Sequence, residues 1–211
     1  ATIDFESVPG VGTPTEGLII NNQYLASAGV SFALEGGGSP RISKVGSPRT
    51  AFQGFGLADD QPAPGQGVGT FFLTDDGAFS GSLFSPALLV QYASPTGAAS
   101  GVLLDIDFGE AWTIQARDSS SNIVETITIN AGDLGTGEGL ATVWSFNHAS
   151  ADISSIRFKG TRTLAGGFGL GFDNFSPTSP VPEPQTFGMF LAGLGILSMA
   201  MQRKIRQSTN Q

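Results

Sequence analysis

Apolar and polar residues alternate one for one along much of the first 175 residues. Ile3 and Phe5 alternate with Thr2, Asp4 and Glu6, and Trp112, Ile114 and Ala116 with Thr113, Gln115 and Arg117. Val102, Leu104, Ile106 and Phe108 alternate with Leu103, Asp105 and Asp107. A period of two places one set of side chains on each face of a strand, whereas an amphipathic helix needs apolar residues three and four apart. No convincing helical pattern longer than about ten residues interrupts the alternation. IVETITI (123–129) and ISSIRF (153–158) read as further strands, and Asp118–Asn122 as the hairpin loop before the first of them. Residues 19–27 read as one short helical turn before a strand over 30–34.

Glycine sets the strand lengths. The chain holds 30 Gly and 12 Pro in 211 residues, a glycine share about twice the usual ~7%. The clusters at Gly36–Gly38, at Gly65, Gly67 and Gly69, at Gly135, Gly137 and Gly139, and at Gly166–Gly167 mark turns. Roughly ten short strands with frequent turns predict an all-β, antiparallel β-sandwich. No fixed repeat period points to a propeller or a solenoid.

Composition then excludes chemistry. With no Cys there is no disulfide, thiolate nucleophile or iron–sulfur cluster, and one His cannot build an HExxH or three-histidine zinc site. Residues 1–180 carry 17 acids and 7 bases, which argues against a nucleic-acid partner. Phe outnumbers Tyr and Trp, 16 to 2 and 2, which favours a core over a recognition surface.

The C-terminus differs. FGMFLAGLGILSMAM (187–201) is uncharged and apolar on all sides, and Arg203, Lys204 and Arg206 follow it. As a helix its 15 residues span about 22 Å against a hydrocarbon core of ~30 Å, so the predicted membrane helix over 187–202 relies on flanking residues and snorkelling bases. The bases place the tail, 203–211, in the cytoplasm and the body outside. The start at Ala1, straight into a strand-like segment, fits a removed signal peptide. Residues 177–186 form a proline-rich spacer between the exported domain, 1–176, and the helix.

Val181-Pro182-Glu183-Pro184, an apolar helix and then Arg203-Lys204-x-Arg206 together resemble the PEP-CTERM sorting signal. The resemblance implies export across the inner membrane of a Gram-negative bacterium and transient anchoring there. It further implies cleavage near the Pro-Glu-Pro motif by an exosortase, and delivery to the cell surface or exopolysaccharide matrix. IDFESVPG and IINNQYLASAGVSF near the start, with IRFKG and GFGLGFDNF near the end, resemble the jelly-roll domains that accompany this signal. That likeness implies terminal strands that meet and hold a structural calcium ion through Glu6 and Asp173, with Asp4 on the same strand face as Glu6.

Other candidates are weighed against plainer roles. Asp105, Asp107 and Glu110 resemble the strand carboxylates of laminarinase-like glycanases, but the first is an Asp where that family has Glu. A solvated strand face is the preferred reading. Asp59-Asp60 and Asp75-Asp76 suit turns. His148 reads as a loop residue without a GxSxG elbow to serve, and Asn174-Phe-Ser176 as an uninformative sequon. Trp112 and Trp144 read as core rather than sugar platform. The sequence therefore leads to a non-catalytic, exported surface or matrix protein. A carbohydrate-binding module for exopolysaccharide is the alternative, and a glycanase the second alternative.

Overall fold

A computed structural model describes residues 2–46, 62–75, 86–163 and 169–178. The chain divides into two units, Ala1–Ser179 and Pro180–Gln211. The second unit lies outside the described residues, and with it the motif Val181, Pro182, Glu183 and Pro184, the apolar run and the bases Arg203, Lys204 and Arg206. Asp59, Asp60, Asp76, Gly166 and Gly167 also lie outside them.

Among the described residues, the body is all-β apart from one helical turn, α1 (Leu25–Ala28). Gly29, at φ 70°, ends that turn in the left-handed conformation that a residue with a Cβ adopts at a cost, and hands the chain to β1 (Val30–Leu34). The remaining strands are β2 (Arg41–Lys44), β3 (Phe71–Thr74), β4 (Leu88–Thr96), β5 (Ala98–Leu104), β6 (Glu110–Arg117), β7 (Ile123–Asn130), β8 (Ala141–Asn147), β9 (Ile153–Arg162) and β10 (Phe172–Ser176). They form two five-stranded antiparallel sheets, in the orders β1-β4-β9-β6-β7 and β2-β3-β10-β5-β8. This is the expected jelly-roll-like sandwich.

The hairpin loop Asp118–Asn122 shows why its residues turn. The Asp118 carboxylate accepts the N–H groups of Ser120 and Asn122 at 2.8 and 2.9 Å, while Asp118 N–H donates to Asn122 O at 2.9 Å. The side chain thus satisfies backbone donors that the strands release. The Asn122 side-chain amide, which donates to Asp118 Oδ2 at 3.0 Å, and then these backbone donors hold the Asp118 carboxyl below the usual range.

The core is aromatic. Phe5, Phe32, Trp144, Phe158, Phe172 and Phe175 pack between the sheets, with Trp144–Phe158 and Phe158–Phe172 ring centroids 5.0 and 5.1 Å apart at steep angles. Trp112 and Trp144 are both buried, as anticipated. Gly101 makes room for the Trp144 indole, since a Cβ there would lie 3.1 Å from it.

Two strand expectations are corrected. Residues 2–6 do not form a strand. Ile3 makes an isolated antiparallel bridge to Phe175, with N–H to O distances of 2.7 and 2.8 Å, and Phe5 turns into the left-handed region at φ 56°. The alternation over 102–108 also misleads. β5 stops at Leu104, and Asp105, Phe108 and Gly109, all at positive φ, form the turn into β6.

Candidate functional site

The expected cation site lies at the seam between the chain's ends. The Ile3–Phe175 bridge brings Asp4 and Glu6 beside β10, which carries Asp173. Asp173 is 1% exposed. Its Oδ1 accepts the Asn174 N–H at 2.7 Å, whereas Oδ2 is buried without a hydrogen-bond partner. Burial first, then the negative charges of Asp4 and Glu6, push this carboxyl up to about 7. Glu6 is already engaged: its Oε1 accepts the N–H groups of Thr70 and Phe71 at 2.6 and 2.7 Å. Gly69 permits that approach, because a Cβ there would collide with the same carboxylate. Asp4 Oδ1 accepts the Glu6 N–H at 3.2 Å. The three carboxylates therefore share one neighbourhood. Among the described residues, no three His, Cys, Asp or Glu side chains stand together as a metal-binding group. What the site offers a cation is one orphaned buried oxygen beside further negative charge.

The glycanase candidates do not share a strand face. Asp105 sits at φ 59° in the β5–β6 turn, and its Oδ1 accepts the Gly139 N–H at 2.7 Å. Asp107 belongs to the same turn, where its carbonyl accepts the Glu110 N–H at 2.8 Å. Glu110 opens β6 and is 8% exposed, and its Oε2 accepts the Trp112 indole N–H at 3.4 Å. Desolvation pushes the Glu110 carboxyl up to about 8. The group carries a proton at neutral pH, yet it is closed off from solvent.

His148 is more than a loop residue. Its Nδ1 lies 2.6 Å from Asp152 Oδ1 and its Nε2 lies 2.7 Å from Glu125 Oε2. Glu125 is on β7, the edge of one sheet, while His148 follows β8, the edge of the other. The ring therefore ties the two edges together. Both carboxylates favour the imidazolium, Asp152 foremost, and raise the His148 pKa above its ordinary value. Sequence spacing shows the Asp152 partner four residues on; Glu125, 23 residues earlier, comes only with the fold.

The outer faces of the two sheets differ in kind. On β9, Ile156 and Phe158 point into the core, leaving Ser155, Arg157 and Lys159 outward; on β6, Thr113, Gln115 and Arg117 point outward in register with them. Arg157 Nε and Nη2 donate to the two Glu35 oxygens at 2.9 and 2.6 Å. The other sheet buries both faces of β3 and β5: Leu73 and Leu103 enter the main core, while Phe72, Val102 and Leu104 form a second cluster beneath Val45, Val68 and Ala141.

The fold and the motif together define a β-sandwich body followed by a C-terminal sorting signal. Residues 180–204 match the PEP-CTERM protein-sorting motif. The signal implies export and exosortase processing. No curated protein matches the chain. Among solved structures, the K2 cleaved adhesin domain of Lys-gingipain is 12% identical, with 83% of this chain and 96% of that one covered at a TM-score of 0.44. TmCBM61 in complex with β-1,4-galactotriose is 10% identical, with 77% and 97% covered at a TM-score of 0.38. CBM28, a module specific for non-crystalline cellulose, is 11% identical, with 69% and 79% covered at a TM-score of 0.30. Among the described residues, no helix is long and apolar enough to cross a membrane.

Proposed function

We propose that this is an exported protein of a Gram-negative bacterium, anchored in the inner membrane through 187–202 until an exosortase-type enzyme cuts near Val181–Pro184. The sandwich then serves a non-catalytic, structural or adhesive role on the cell surface or in the exopolysaccharide matrix. The sorting motif at 180–204, placed directly after an all-β body with its own core, carries this reading. Mass spectrometry of the mature protein from its native host tests it. A C-terminus near Pro184 is expected; Arg206 retained on a membrane-bound form refutes the sorting step.

The engaged Asp105 and the enclosed Glu110 support a non-catalytic body. Release of reducing ends from β-glucans by the purified chain would reverse that judgement. A second reading, binding of exopolysaccharide, is favoured by the polar outer face of the β1-β4-β9-β6-β7 sheet, where guanidinium, ammonium, amide and hydroxyl groups face solvent together. Calcium remains part of the proposal, with Asp173 Oδ2 as its ligand, Asp4 beside it and backbone carbonyls completing the set. Calcium should then raise the melting temperature and a chelator lower it. An unchanged melt in both would remove the ion.

A further inference from the structure

The body is strongly acidic, yet its bases are not scattered. Of the 7 Lys and Arg in residues 1–180, Arg117, Arg157, Lys159 and Arg162 lie on the adjacent strands β6 and β9. Three of them share the outer face. Arg157 pairs across with Gln115, Lys159 with Thr113, and Arg117 with Ser155, so the three charges occupy consecutive rows. Rows on one face are two residues apart along the strand, or about 6.6 Å. The positive stripe is thus flanked by amide and hydroxyl groups that can bond sugar oxygens.

One carboxylate already marks how this face receives an anion. Glu35, just after β1, lies in the two-pronged grip of the Arg157 guanidinium. The Arg157 hydrogen bonds first, and then the charges of Arg157, Lys159 and Arg117, hold Glu35 below its usual range. All three cations therefore bear on one point. Arg117 has no carboxylate partner among the described residues. Its Nη2 donates to Gln115 Oε1 at 2.6 Å, and its Nε is buried with no partner. Among the described residues, Arg117, Arg157 and Lys159 share this face with one gripped carboxylate, Glu35, in a body where acids outnumber bases.

We propose that the outer face of the β1-β4-β9-β6-β7 sheet binds an acidic polysaccharide, whose carboxylates are taken by Arg117, Arg157 and Lys159. Glu35 acts as an internal counter-ion that the ligand displaces from Arg157. Charge complementarity selects the anionic polymer, and successive rows of charged and hydrogen-bonding side chains suit an extended chain of sugars. Double-stranded nucleic acid is disfavoured, since the rest of the body repels it. This inference rests on the polysaccharide-binding reading above.

The test uses the full chain in neutral detergent, with polygalacturonate as the acidic polymer and galactan as its neutral counterpart. Binding to polygalacturonate that weakens with salt is expected. The double variant R117Q/K159Q should weaken it about tenfold or more, the scale of one or two lost charged hydrogen bonds, with the melting temperature unchanged. E35Q should tighten it several-fold by freeing Arg157, an effect that a merely structural Glu35 would not give. The tail variant R203Q/K204Q/R206Q should bind like the parent. Loss of binding in the tail variant alone, or a parent-like R117Q/K159Q, overturns the site. Equal binding of double-stranded DNA or anionic vesicles overturns the ligand class. Binding of galactan but not polygalacturonate overturns the inference and leaves the polysaccharide reading standing; binding of neither polymer overturns both.

Discussion

The two sheets share one core but meet the outside differently, and the contrast explains what each can do. From Trp112 to Arg117 in β6 and from Ile156 to Lys159 in β9, apolar inward residues alternate with polar outward ones; the buried Glu110 opens β6, and the period slips between Ile153 and Ile156. In β3 and β5, both faces are covered, and the strands read as apolar runs, Phe71-Phe72-Leu73 and Val102-Leu103-Leu104. A face covered by its own chain gains stability and gives up access. Among the described residues, the β1-β4-β9-β6-β7 sheet keeps its outward polar groups part-exposed, and that is the face proposed above for a polymer.

The contrast can be broken most sharply at Phe72, which is fully buried on the outer side of its sheet. Phe72→Ala should cost about 3–5 kcal/mol in chemical denaturation, as a core Phe does. A cost below ~1 kcal/mol would make the second cluster a surface feature after all. Asp173→Asn comes next. The Asp173 pKa is raised from its ordinary value to about 7, so the folded state binds the proton more tightly than the unfolded one. Without a cation, stability then falls as pH rises from about 4 to about 7, at up to about 1.4 kcal/mol per pH unit. In chelator the variant should lose most of that slope and be the more stable form at pH 7. Some slope will persist, because Glu110 titrates in the same sense up to about 8. A slope unchanged by the substitution would place the effect elsewhere.

His148→Gln tests the link between the sheets at their edges. The His148 pKa is raised, so its contribution is complete below the ordinary value of 6.5 and fades as pH climbs through the folded value. The variant should be weaker by about 1 kcal/mol at mildly acidic pH, the scale of two solvent-screened ion pairs, and approach the parent at alkaline pH. A deficit independent of pH would mean lost packing, not lost charge. Thr128→Ala, on the exposed face of β7 opposite Thr113, should change stability by less than ~0.5 kcal/mol. A larger cost would show that this face, too, is covered.

What was legible in the sequence follows the same divide. Trp112, Ile114 and Ala116 announced their inward face because their neighbours met water, and the Asp118 loop announced itself through short polar residues. Asp105–Gly109 was misread because Ile106 is buried beneath a turn and so preserves the alternation past the strand's end. Residues 2–6 kept the pattern while making one bridge, since apolar burial alone does not require a ladder. At the candidate cation site, the jelly-roll resemblance implied that Asp4, Glu6 and Asp173 meet, but it could not show that Glu6 spends an oxygen on Thr70 and Phe71. The cationic face was invisible for another reason: Arg117 and Arg157 are 40 positions apart, and only the β6–β9 register sets them in neighbouring rows.

The placement of β10 has a mechanical consequence. The chain leaves the body through this strand, which lies third of five in its sheet and is bridged to the N-terminal segment by Ile3. A pull applied through the spacer enters the middle of the sheet. There it must slide β10 against β3 and β5 together, whereas an outer strand could be peeled away one bond at a time. A body tethered by its tail would thus meet traction on an interior strand rather than at a sheet edge.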